Sequence, residues 1–139
     1  MKECLFAYGT LLPDRAPAAM ADVIQRLERV GRGSMRGWLY DLGEFPGAIV
    51  DDKAPREIWG EVFRLPKDDL LLRRLDDYEG FDAADPGGSL FVRRRSSVML
   101  TSGERLNCWV YVYNRTPPAG SLLPGGDYRV SAVERKRQG

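Results

Sequence analysis

Leu106-Asn107-Cys108-Trp109-Val110-Tyr111-Val112-Tyr113 alternates its side chains with a period of two. Asn107, Trp109, Tyr111 and Tyr113 fall on one face, and Cys108, Val110 and Val112 on the other, the pattern of a β-strand. The segment just before it, Leu90–Leu100, is also extended in pattern, and Thr101-Ser102-Gly103-Glu104 between them supplies turn residues. The two are therefore expected to pair antiparallel. Working back toward the N-terminus, Cys4-Leu5-Phe6-Ala7-Tyr8 reads as a buried strand that stops at Gly9. Gly37–Leu42 and Gly47–Asp51 are extended pieces around the turn Glu44-Phe45-Pro46-Gly47, and Ile58–Leu65 alternates with Trp59, Glu61, Phe63 and Leu65 on one face.

Two helices separate these strands. Ala19, Met20, Val23, Ile24, Leu27 and Val30 follow helical spacing, with Gly31 and Gly33 as stops. Pro66 opens the second, whose first turn carries Asp68 and Asp69 and which ends at Gly80. Phe81–Ser89 is expected to be a long, mobile loop. Five or six strands with two helices give an α+β fold around a mixed sheet, with closure into a barrel one way to finish it.

Composition removes several chemistries. The chain has 139 residues, 43% hydrophobic and 29% charged, with a net charge of +1. These are the proportions of one ordinary globular domain, expected over 1–130, with 131–139 as a basic, flexible tail. There is no histidine. That excludes a Ser-His-Asp triad, a Cys-His pair and histidine-ligated metal, so proton transfer near neutral pH needs a retuned carboxylate, lysine, tyrosine or cysteine. Cys4 and Cys108 are too few for a disulfide framework and are expected as reduced, packed thiols; no metal site is expected. No signal peptide or membrane span is evident, so the protein is expected to be cytoplasmic, with no membrane partner. Near-neutral charge argues against a nucleic-acid partner, although Arg93-Arg94-Arg95 and Arg135-Lys136-Arg137 are local basic runs.

Glu79 is the carboxylate in an unusual place. It lies four residues after Leu75 and seven after Leu72, and spacings of three, four and seven share a helix face. Burial and the negative end of the helix dipole would both disfavour its anion. A pKa raised from ~4.3 toward ~6–7 suits a general acid/base at neutral pH. Periodicity leaves a second possibility open: the helix ends early and Glu79 pairs with an arginine at 93–95. Tyr8-Gly9-Thr10-Leu11 is a second candidate, because a glycine turn after a buried strand exposes backbone N–H groups that can bind a carboxylate or an oxyanion. Ordinary loops share that pattern. Glu61 is expected in a structural ion pair, and Trp38, Trp59 and Trp109 as core residues.

Taken together and in order, these segments resemble the γ-glutamylcyclotransferase-like family. Its Tyr-Gly-Ser/Thr-Leu motif appears as Tyr8-Gly9-Thr10-Leu11, and its Leu-Asp-x-Tyr-Glu-Gly as Leu75-Asp76-Asp77-Tyr78-Glu79-Gly80. Gly37–Gly43, Phe45-Pro46-Gly47, Gly60-Glu61-Val62, Phe91-Val92-Arg93 and Trp109–Tyr113 are similar to its other blocks. The resemblance implies a small mixed β-barrel of five to six strands with flanking helices. It also implies a cofactor-independent cyclotransferase that turns a γ-glutamyl amine or γ-glutamyl amino acid into 5-oxoproline and a free amine. By the family pattern Glu79 would move the proton, Tyr8, Gly9, Thr10 and Leu11 would hold the glutamyl moiety, and Tyr111 would touch substrate. Arg93 is a further candidate for a substrate carboxylate, since a guanidinium can bind one bidentately. This chain departs from the pattern at Leu12-Pro13-Asp14 and at Phe91, where tyrosine is common. The alternative to an enzyme is the same barrel, catalytically idle, as a small-ligand or protein-binding module. Either a monomer or a homodimer fits.

Overall fold

The computed structural model describes residues 3–9 and 18–128. Six strands form one sheet: β1 (Cys4–Ala7), β2 (Glu28–Asp41), β3 (Pro46–Val50), β4 (Glu57–Arg64), β5 (Phe91–Leu100) and β6 (Arg105–Tyr113). Their order is β3-β2-β4-β1-β6-β5, and β5 returns to pair with β2 through Gly33↔Leu100 and Ser34↔Met99. Five strands thus close a barrel, and β3 hangs outside it on β2. The barrel is mixed because β1 runs parallel to β6, while the other pairs are antiparallel. Closure removes the exposed edges that an open sheet would present. Among the described residues, no helix is long and apolar enough to cross a membrane.

Alternation along the strands builds two cores. Phe6, Val62, Val98, Cys108, Val110 and Val112 point to one, which draws on all six strands and fills the barrel. Leu5, Ala7, Phe63 and Tyr111 point the other way and meet Leu71 and Leu75 of α2 (Asp69–Glu79). The two faces expected for β6 thus divide: Cys108, Val110 and Val112 are buried in the barrel, while on the other face Tyr111 is buried under the helix, Trp109 and Tyr113 are half-buried and Asn107 is exposed. Leu75 is fully buried. Burial of a leucine is worth roughly 1.5–3 kcal/mol, so this side chain is a principal clamp of α2 to the barrel.

Helix α2 has well-defined ends. Asp68 is its N-cap, accepting from the N–H groups of Leu70 and Leu71, and so stands one position outside the first turn expected from sequence. Gly80 closes it in the left-handed region at φ 73°, where a side chain would be strained. The helix therefore runs through Glu79 and does not end early.

Three expectations are corrected. The helical pattern at 19–30 gives only a 3-10 turn (Ala18–Met20) and the short α1 (Ala21–Gln25). Val30, Gly31 and Gly33 belong to β2, where an irregularity between Arg29 and Gly31 offsets the pairing with β4. Ladder pairing with β4 and β5 there outweighs a local apolar period. Gly37–Leu42 is the end of that 14-residue strand, not a separate piece. The segment 81–89 is fastened: Ser89 is buried, accepts from the Asp82 N–H at 2.9 Å, and Arg115 donates to the carbonyls of Gly88 and Ser89. The basic tail 131–139 lies outside the described residues, as do Thr10, Leu11, Leu12, Pro13 and Asp14.

Candidate active site

The end of β1, the end of α2, the β2–β3 turn and the starts of β5 and β6's outer face converge on a cavity of about 400 Å³. Its walls include Tyr8 and Gly9, Phe45 and Pro46, Tyr78 and Glu79, Leu90 and Phe91, and Tyr111. Sequence order explains the convergence. A strand that stops at Gly9 and a helix that stops at Gly80 bring their termini to the same end of the barrel. Gly9 permits close approach: a Cβ there would lie 2.6 Å from Cγ of Pro46. Three aromatic rings brace the mouth, with Phe91 5.7 Å from Phe45 and 5.5 Å from Tyr113 between ring centroids.

Glu79 faces this cavity from the last turn of α2. Among the described residues its carboxyl has no hydrogen-bond or ion-pair partner. Protein surrounds it while part of its surface stays accessible, as befits a group on a cavity wall. Burial pushes its pKa up from the ordinary 4.5 to about 8, since desolvation favours the neutral acid. The pairing with an arginine at 93–95 left open by the sequence is not formed. Arg93 turns to Asp76, and Arg95 turns to Glu3.

Two phenols stand beside it. Tyr8 is buried; its hydroxyl donates to the Tyr111 carbonyl oxygen at 2.5 Å and accepts from the Ala48 N–H at 3.2 Å. Tyr111 donates its own hydroxyl to Asp76 Oδ1 at 2.6 Å. Both phenols are held neutral: burial is the main cause of their raised pKa, and the Glu79 charge adds to it in each. Glu79, Tyr8 and Tyr111 therefore form one electrostatic cluster.

Of the residues singled out from sequence, Glu79, Tyr8, Gly9 and Tyr111 meet at the cavity, and Thr10 and Leu11 lie outside the described residues. Arg93 does not line it. Its guanidinium donates from Nε to Asp76 Oδ1 at 2.9 Å and lies 4.3 Å over the Trp109 ring. Glu61 is in an ion pair with Arg29 at 2.9 Å. Asp76 was not legible as an interior acid, because its helix position alone gave it no consistent inward direction. Phe45 and Pro46 were legible only as a turn; the signal available was a proline beside an aromatic residue at the hairpin tip. Cys4 and Cys108 are both free, and burial pushes the Cys108 thiol up to about 12, so it stays protonated.

Residues 5–130 match the family model described as gamma-glutamyl cyclotransferase, AIG2-like. A Vibrio cholerae protein provisionally named gamma-glutamylcyclotransferase is 27% identical over 130 residues, covering 92% of this chain and 96% of that one. A Methanocaldococcus jannaschii protein with the same provisional name is 30% identical over 81 residues, covering 58% of this chain. That match spans 59% of the archaeal protein. In fold, the chain is similar to the crystal structure of a mouse AIG2-like protein, with a TM-score of 0.70, 21% identity, and coverage of 91% and 88% of the two chains.

Proposed function

The chain belongs to the AIG2-like gamma-glutamyl cyclotransferase family, and on that premise we propose that it converts a γ-glutamyl amine or γ-glutamyl amino acid into 5-oxoproline and a free amine, with Glu79 moving the proton. The observation that carries this reading is the Glu79 carboxyl: half-buried, without a partner among the described residues, facing a cavity, and pushed up to about 8 by desolvation. Carboxylates kept for structure are normally paired. One left unpaired at a cavity wall is poised to exchange a proton near neutral pH.

The chemistry asks for little else. The attacking α-amine and the γ-carbonyl belong to one molecule, so fixing the folded conformer supplies a large part of the rate as an orientation effect. Nitrogen attacks the carbonyl carbon, and a C–N bond forms as the C=O electrons move to oxygen. Glu79 takes the proton from the attacking nitrogen. It then returns that proton to the leaving nitrogen as the original C–N bond breaks. The Gly9 backbone, which lines the cavity, is suited to the oxyanion or to the glutamyl carboxylate. No cofactor enters this balance. The cavity, at about 400 Å³, accommodates a glutamyl unit with a small amine.

The test is incubation of the protein with a panel of γ-glutamyl amines and γ-glutamyl amino acids, following 5-oxoproline by mass spectrometry. Turnover by the native chain, and its loss by about 10²–10⁴ in Glu79→Gln, is expected. A Gln variant as active as the native protein overturns the mechanism. Binding without turnover by the native chain leaves the idle binding module in its place.

A further inference from the structure

Tyr111 keeps its proton away from the cavity that it lines. Its hydroxyl donates to Asp76 Oδ1 at 2.6 Å, and Asp76 also receives Nε of Arg93 at 2.9 Å and Nη2 at 3.4 Å. The Asp76 and Arg93 side chains are only 13% and 16% exposed, and the guanidinium is pinned over Trp109. Arginine has donors alone, so an aspartate that it grips in fork geometry is left with nothing but acceptor sites. The direction of the phenol bond is thereby imposed. Tyr111 gives its hydrogen to Asp76 and leaves its lone pairs for whatever enters the cavity. An ionised Glu79 likewise offers only acceptors. The complement to such a pair is a group rich in hydrogens and positive in charge.

We propose that the Arg93–Asp76 pair fixes Tyr111 as the acceptor for the α-ammonium of the bound glutamyl group, which releases one proton to solvent so that its nitrogen attacks as the free amine and passes a second proton to Glu79. This rests on the cyclotransferase reading and adds to it: Tyr111 touches substrate, and Asp76 and Arg93 are positioning residues that act through it. Arg93 thus serves recognition without touching the ligand. Its contribution is the polarity of one hydrogen bond.

The experiment compares two ligands that differ in that group alone. Binding of L-glutamate and of glutarate, which lacks the α-ammonium, is measured by calorimetry on the full chain. The native protein is expected to favour glutamate by about tenfold or more, the worth of a hydrogen bond to a charged group. Tyr111→Phe is expected to reduce that ratio to within about threefold of unity. Asp76→Asn is expected to do the same, because an amide can donate to the phenol and reverse its direction. Arg93→Lys, which keeps charge but loses the fork, is expected to fall between. A merely structural role would weaken both ligands together and leave the ratio intact. Equal affinity of the native chain for both ligands, failure to bind either, or an unchanged ratio in a folded Tyr111→Phe overturns the proposal. If Asp76→Asn does not fold, Tyr111→Phe and Arg93→Lys decide it. Turnover of the γ-glutamyl panel is read separately: turnover with equal affinities sinks this proposal alone, and ammonium discrimination without turnover sinks the catalytic reading alone.

Discussion

The phenol of Tyr8 donates to the backbone carbonyl of Tyr111, 103 positions away, at 2.5 Å. Because the same oxygen accepts from Ala48 N–H, one buried hydroxyl ties β1 to β6 and to β3 beside the cavity. The barrel strands and the strand outside the barrel are joined there by a side chain.

Tyr8→Phe tests that knot. It removes both bonds and leaves a buried N–H without its partner, which costs about 1–3 kcal/mol. Urea unfolding is expected to show a loss in that range with an unchanged m-value. A loss below about 0.5 kcal/mol would show that the two strands hold together without it.

Glu79→Gln is expected to stabilise the fold increasingly as pH rises. The folded carboxyl titrates at about 8 against an ordinary 4.5. Between those values the native protein keeps a proton that the unfolded chain has released. Stability of the native chain therefore falls through this window and levels off above it. Glutamine removes the dependence. One pKa unit corresponds to about 1.4 kcal/mol, and solvent reaching the cavity reduces the effect, so a gain of about 1–3 kcal/mol at pH 8 over pH 4.5 is expected. Denaturation at the two pH values measures it. A gain that does not grow between them contradicts a raised pKa.

The rate profile follows from the same group. If Glu79 accepts the proton, kcat/KM rises with pH as its carboxyl ionises, with half of the limiting value near pH 8. A profile already flat above pH 5.5 would mean that Glu79 titrates as an ordinary surface carboxylate and does not perform this step.

Gly9→Ala probes the mouth. The added methyl would sit 2.6 Å from Pro46 Cγ and 2.9 Å from its Cδ, too close for either ring atom to remain in place. Displacement of the Phe45–Pro46 wall is expected to cost about 1–3 kcal/mol as overpacking and to raise KM more than it lowers kcat. A variant with native KM would show that this wall is not in contact with substrate.

The strands were readable because their signal is local. A period of two marks β4 and β6, and a short apolar run stopping at Gly9 marks β1, without any knowledge of partners. The stretch at 19–30 misled because its apolar spacing serves a short helix and then a bulged strand, and only pairing with β4 and β5 separates the two. Glu79 was readable as inward-facing because it lies four residues after Leu75 and seven after Leu72 on one helix face, and Leu75 is buried in the structure. The destination of Arg93 was not. Whether an arginine meets a substrate or Asp76 depends on how β5 lies against α2, and that is set by barrel closure rather than by neighbours in sequence.

Strand β3 stands apart from the closed ring, held by β2 along one side, and the turn before it carries Glu44, Phe45 and Pro46 onto the cavity. Half of the pocket is thus built from the ring and half from a hairpin laid against it. Residues on that hairpin lie outside the ring's own ladder. A lineage that kept the proton-handling wall could refit its appetite for different amines by rewriting this hairpin alone.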